Sequence, residues 1–127
     1  MAAVEEVKAA IQPMFSADAI RCGDLLFISG CVPMDSDGNL VGEDDLEAQT
    51  EQVMENMRRV LEAAGTDFAH VLKTTVFMTD ITQRKVPDVI RRRYFGDRPP
   101  ASTIVEVTAL TAPGIEIEIE AIATFPG

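Results

Sequence analysis

Three glutamates alternate near the end of the chain, Glu116, Glu118 and Glu120, within the run IEIEIEAIA. A β-strand sends successive side chains to opposite faces. On a strand these carboxylates would share one face with Ile122 and Thr124, and Ile115, Ile117, Ile119, Ala121 and Ala123 would share the other. Two readings fit such a row. One is the solvated outer face of an antiparallel sheet. The other is a water-filled, partly enclosed site, where like charges raise one carboxyl pKa and suit it to proton transfer near neutral pH. Ile122 and Ile104 are expected on the carboxylate face, which argues against full solvation and leaves room for a second chain to cover it.

Other chemistry-bearing residues are sparse. Cys22 and Cys31 form no CxxC pair, and His70 has no partners at metal-ligand spacing. Both thiols are expected to be free in a reducing cytoplasm. Cys31 reads either as a small buried apolar residue or, beside a cation, as a reactive thiolate. The basic run Arg91, Arg92 and Arg93, with Arg84, Lys85 and Arg98 nearby, reads as a solvated helix face or as an anion or subunit contact. Against 11 basic residues stand 21 acidic ones, a net charge of −10. That balance excludes nucleic acid and anionic membrane surfaces as expected partners. No run approaches the ~20 apolar residues of a membrane span. The opening MAAVEEVKAA lacks the basic and apolar regions of a signal peptide, so a cytoplasmic location is expected.

The elements that would position these residues can be read from periodicity. The 127 residues predict a single domain over 1–127, with 1–12 as a weakly amphipathic, flexible lead. Gly23-Asp24 between two apolar runs predicts a two-residue hairpin turn, and PMDSDGNLVG is turn chemistry. Leu46, Val53, Met54, Met57, Val60, Leu61 and Ala64 recur at helical spacing, with Asp44 as cap, Glu47 in a capping box and Gly65 as stop. VLKTTVFM, residues 71–78, predicts a strand. A second helix follows, with Pro87 in its first turn and Gly96 at its end. Strands are predicted over 102–107 and, after the turn at Ala112-Pro113-Gly114, over 115–125.

Several ordered segments carry a family resemblance across about residues 16–123. They are GDLLFISG, DSDGNLVG, EAQTEQVMENMRRVLEAAG, KTTVFMTD, RYFGD, PASTIVEV and EIEAIA. In this order they resemble the Rid family, the reactive intermediate deaminases, also called YjgF-like proteins. The resemblance implies an α+β, chorismate-mutase-like fold: two helices on one face of a mixed sheet, assembled as a homotrimer with a barrel-like centre. It implies small-molecule clefts between subunits and no cofactor or metal. Deaminating members hydrolyse an enamine or imine, such as 2-aminoacrylate, to a keto acid and ammonia. An arginine there holds the substrate carboxylate, and a last-strand glutamate handles water and protons.

Carried over residue by residue, the catalytic glutamate matches Glu120. Ser29 and Gly30 match the backbone donors, with Cys31 next to them where glutamine or a similar residue is usual. Phe15 or Ser16 falls where the family has a tyrosine, and Asp88 where it has an asparagine. In PASTIVEV, Ser102 replaces the arginine, Thr103 follows, and Ile104 replaces a small residue or cysteine. Serine cannot supply the arginine's charge or its two-pronged donors. The expected function is therefore an imine or enamine hydrolase with an altered substrate. The alternatives are a non-catalytic trimeric metabolite-binding protein and an acidic holdase-type stress protein.

Overall fold

The computed structural model describes residues 3–127. Six strands form one mixed sheet: β1 (Val4–Val7), β2 (Ala19–Cys22), β3 (Leu25–Cys31), β4 (Val71–Met78), β5 (Ala101–Glu106) and β6 (Ile117–Ala123). Their order is β1-β2-β3-β6-β4-β5. Only β4 and β5 run parallel. A parallel pair needs a long crossover, and the second of two helices, α1 (Leu46–Ala64) and α2 (Lys85–Phe95), supplies it. The α+β architecture expected from sequence is the one observed.

The predicted periodicity in α1 holds: Val53, Met54, Met57, Val60 and Leu61 are fully buried. The cap is Asp45 rather than Asp44, and its carboxylate accepts from the Ala48 amide at 3.0 Å. Asp44 instead takes a left-handed φ of 56° in the preceding turn. Gly65, at φ 86°, ends the helix, with the Gly65 and Thr66 amides donating to the carbonyls of Glu62 and Leu61. This is the hydrogen-bond pattern that satisfies the last free carbonyls of a helix.

One sheet face is closed by the helices, with α1 against β3 and β6. Ala19, Leu26, Ile28, Cys31, Val76, Met78, Ile117, Ile119, Ala121 and Ala123 are buried there. Part of the lead expected to be flexible is ordered. Val4–Val7 pairs antiparallel with β2, and Ile11 and Gln12 are buried. Gln12 donates to the Gly30 carbonyl at 2.7 Å and accepts from the Val32 amide at 2.9 Å. Asn56 of α1 donates to the carbonyls of Val32 and Met34 at 3.0 and 2.9 Å. These two buried amides fix the end of β3, where the pairing with β6 shifts register between Ile28 and Cys31.

Candidate functional site

The candidate residues separate onto the two faces of the sheet. Glu120 stands on the face the helices leave open, opposite Thr75 of β4, which in turn pairs with Thr103 of β5. Lys73 lies in the same region, its ammonium donating to Thr103 Oγ1 and to the Thr74 carbonyl, each at 2.9 Å. Phe27, Ile28, Lys73, Thr75, Glu120, Ala121 and Ile122 line a cavity of about 190 Å³.

The carboxylate row is a pair rather than a trio. Glu116 precedes β6, and its side chain reaches Gln49 of α1, at 3.4 Å from that amide nitrogen. Glu118 remains beside Glu120. Half-buried, its carboxyl is pushed above the usual range by desolvation and then by the Glu120 charge. Its Oε2 lies so close over Gly30 that a Cβ there would sit 2.2 Å away. Gly30 is therefore needed for close approach, not for an unusual φ.

On the helix side, Ser102 and Ile104 share the register of Thr74 and Val76. Ile104 packs against the core and does not accompany Ile122 as expected. The faces of separate strands can be matched only through their pairing register, and one strand's alternation does not contain it. Ser102 lines a second cavity, again of about 190 Å³, with Asp88, Arg91, Arg92, Phe95, Gly96, Pro99 and Pro100. Two residues carried over from the family pattern, Asp88 and Ser102, thus meet at one cavity.

The others are scattered. The Ser29 amide donates to the Asp18 carbonyl at 3.1 Å and its hydroxyl to the Ala17 carbonyl at 2.6 Å, so this amide is already occupied. Cys31 is fully buried among apolar residues, and its thiol is pushed up to about 12, by burial first and then by Glu118 and Asp18. Burial on this scale disfavours the thiolate. Phe15 is fully exposed and Ser16 is exposed, in the loop before β2. His70 bonds Asp67 at 2.6 Å in a connecting turn. Among the described residues, no group of three or more His, Cys, Asp or Glu could hold a metal ion. Among the described residues, no helix is long and apolar enough to cross a membrane.

Sequence reasoning left out Arg91 as an individual. Within the basic run, Arg93 pairs with Glu51 at 2.9 Å, but Arg91 is only 8% exposed. Its signal was positional. Pro87, Ile90, Arg91 and Tyr94 hold the i, i+3, i+4, i+7 places of the inward helix face. Arg21 stacks 3.7 Å over the Phe125 ring, and Arg98 donates to the Ala69 carbonyl at 3.3 Å.

With this geometry in place, the sequence can be set beside known proteins. Residues 6–125 match the family described as Endoribonuclease L-PSP. The chain is 39% identical to Protein DfrA of Myxococcus xanthus, over 94% of this chain and 90% of that protein. It is 36% identical to Reactive Intermediate Deaminase A, chloroplastic, of Arabidopsis thaliana, over 95% of this chain and 63% of that one. Among solved structures it resembles YyfA of Yersinia pestis, described as a protein of unknown function of the conserved Rid family. The TM-score is 0.89 at 37% identity, covering 96% of this chain and 99% of that one.

Proposed function

This chain belongs to the Rid (YjgF-like, L-PSP) family and is deaminase-like, and from that premise we propose that it hydrolyses a small imine, enamine or related labile metabolite. The reaction takes place, without a cofactor, in a cleft between the subunits of a homotrimer. Glu120 accepts a proton from water as the oxygen attacks the imine carbon. It returns that proton to the imine nitrogen to complete the carbinolamine, then carries the hydroxyl proton to the nitrogen as the C–N bond breaks, releasing ammonia and a carbonyl product.

The observation that carries this reading is the placement of Glu120 beside Glu118 on the wall of a cavity in an uncovered sheet face. That face also leaves Leu25, Phe27 and Val105 partly exposed, at 40%, 45% and 38%. An apolar patch around carboxylates suits a surface completed by other copies of the chain. Glu120 and Ser102 lie on opposite faces of the sheet, so a cleft using both must draw them from two subunits. The family name's reference to RNA cleavage finds no support in a chain of net charge −10.

We also assign the chain to a branch without the strand arginine, because position 102 is serine. This feature favours either a changed substrate or the second reading, a trimer that binds a metabolite without turning it over. The two are separated by generating 2-aminoacrylate and related enamines in situ and following keto-acid release against a buffer blank. The expected result is weak or absent release from 2-aminoacrylate and release from a related enamine, by a particle of three chains in light scattering. Glu120→Gln should lose turnover at unchanged mass and melting temperature. Wild-type rates in Glu120→Gln, or a stable monomer at micromolar concentration, would overturn the assignment.

A further inference from the structure

The guanidinium of Arg91 is built into the fold in an unusual way. Its Nη2 donates to Thr74 Oγ1 and to Ser102 Oγ, each at 2.8 Å. Those two hydroxyls also bond each other at 3.1 Å. The fixing is therefore done from the sheet, across the gap between α2 and β5. The remaining donors are poorly matched. Asp88 Oδ1 stands 3.6 Å from Nη1, beyond hydrogen-bond range, and the buried Nε has no partner among the described residues. Nε has no exposed surface, so the donor left for an anion in the cavity is Nη1, and an acceptor there lowers the cost of burying the charge.

The cavity in front of it has the corresponding chemistry. Arg91 and Arg92 set two positive charges against the single carboxylate of Asp88. The local balance is +1 in a chain of −10. Phe95, Pro99 and Pro100 provide an apolar wall, and a volume of about 190 Å³ fits a molecule of only a few heavy atoms. A doubly charged anion would face Asp88 with its second charge, whereas a monoanion matches the balance.

We propose that Arg91, positioned by Ser102 and Thr74, is the anchor for the carboxylate of a small monocarboxylate ligand, so that α2 supplies the cation that β5 lacks. Ser102 is then a support for a guanidinium and not merely the loss of one. This deepens the hydrolase reading by giving its substrate a charge, and rests on that reading only for the choice of probe.

The test is a titration of the isotopically labelled full chain, followed by amide chemical shifts at constant ionic strength. The probes are pyruvate, its neutral amide and inorganic phosphate. Pyruvate should move amides within residues 88–102, with the neutral amide at least tenfold weaker and phosphate weaker than pyruvate. Arg91→Gln should weaken pyruvate roughly ten- to a hundredfold, the usual worth of a charge-assisted contact. Arg91→Lys should lose most of the same affinity, since an ammonium cannot hold the Thr74 and Ser102 hydroxyls from one nitrogen while turning a second towards the cavity. Shifts confined to other regions, equal binding of pyruvate and its amide, or unchanged affinity in Arg91→Gln would overturn the proposal. If Arg91→Gln does not fold, the three-probe comparison on the natural chain decides. Binding is read without turnover, so an inactive protein that still binds pyruvate here would overturn the hydrolase reading alone. An active one that does not would overturn only the anchor.

Discussion

Leu26 and Phe27 are neighbours in β3 with opposite surroundings. Leu26 is fully buried in the helix-covered core, while Phe27 is 45% exposed on the wall of the Glu120 cavity. The same contrast runs through the charged groups. On the covered side the chain supplies its own partners for Arg91, two hydroxyls from the sheet. On the open side it packs the Glu118 carboxylate over bare backbone at Gly30 and leaves apolar side chains uncovered. The apolar core of the covered face is complete within one chain, and the open face is not. Stability should therefore respond to the first and association and chemistry to the second.

The largest expected effect tests that division within one strand. Leu26→Ala should cost about 2–5 kcal/mol of folding stability, read by urea unfolding, because the cavity it leaves is enclosed by helix and sheet. Phe27→Ala should cost the fold far less and should instead shift the proposed trimer towards monomer in sedimentation. Equal losses of stability from the two, with assembly intact, would mean that the open face is an ordinary solvated surface.

A smaller effect is expected at Gly30. Its backbone suits alanine, but the added Cβ would meet Glu118 Oε2 at 2.2 Å. The obstacle is the end of a flexible side chain, so Gly30→Ala should cost only about 1 kcal/mol, at the low end of overpacking. The carboxylate must move aside, and turnover should fall several-fold more than stability explains. A variant with normal turnover would show that the seat of Glu118 over Gly30 has no part in the chemistry.

The sequence made some of this division visible and concealed the rest for identifiable reasons. The alternation in β6 separated Ile117, Ile119 and Ala121 from Glu118 and Glu120, because strand period and burial coincide there. The Gly23-Asp24 turn was legible because its flanking strands pair closely, Cys22 opposite Leu25. The face of Ile104 was not, because it depends on how β5 registers against β4. β1 was missed because VEEV is short, exposed and at the sheet edge, with no apolar face to betray it. Arg91 was absorbed into a charge run, although its spacing from Pro87 and Ile90 put it on the inward face. Its value depends on Thr74, 17 residues away, and Ser102, 11 away, which only the fold brings together.

The smallest predicted effect concerns the Glu118 charge and should appear only as a pH dependence. Burial and the Glu120 charge raise the Glu118 carboxyl pKa above its ordinary value. Between the unfolded value, about 4.3, and this higher folded value, the native state holds more protons than the unfolded chain. Stability therefore falls as pH rises through that window, and the penalty is complete above the folded value. The charged group bearing on it is Glu120 on its own strand. Glu118→Gln keeps the shape over Gly30 and removes the charge. Urea unfolding at pH 3.5 and pH 7.5 should find the variant gaining on the natural protein at the higher pH, with little difference at the lower. A trimer that buries the face further should enlarge the gap, because desolvation is the leading cause of the shift. A variant that loses ground at pH 7.5 would mean that the charged carboxylate is stabilised where it stands. The open face would then be as self-sufficient as the covered one.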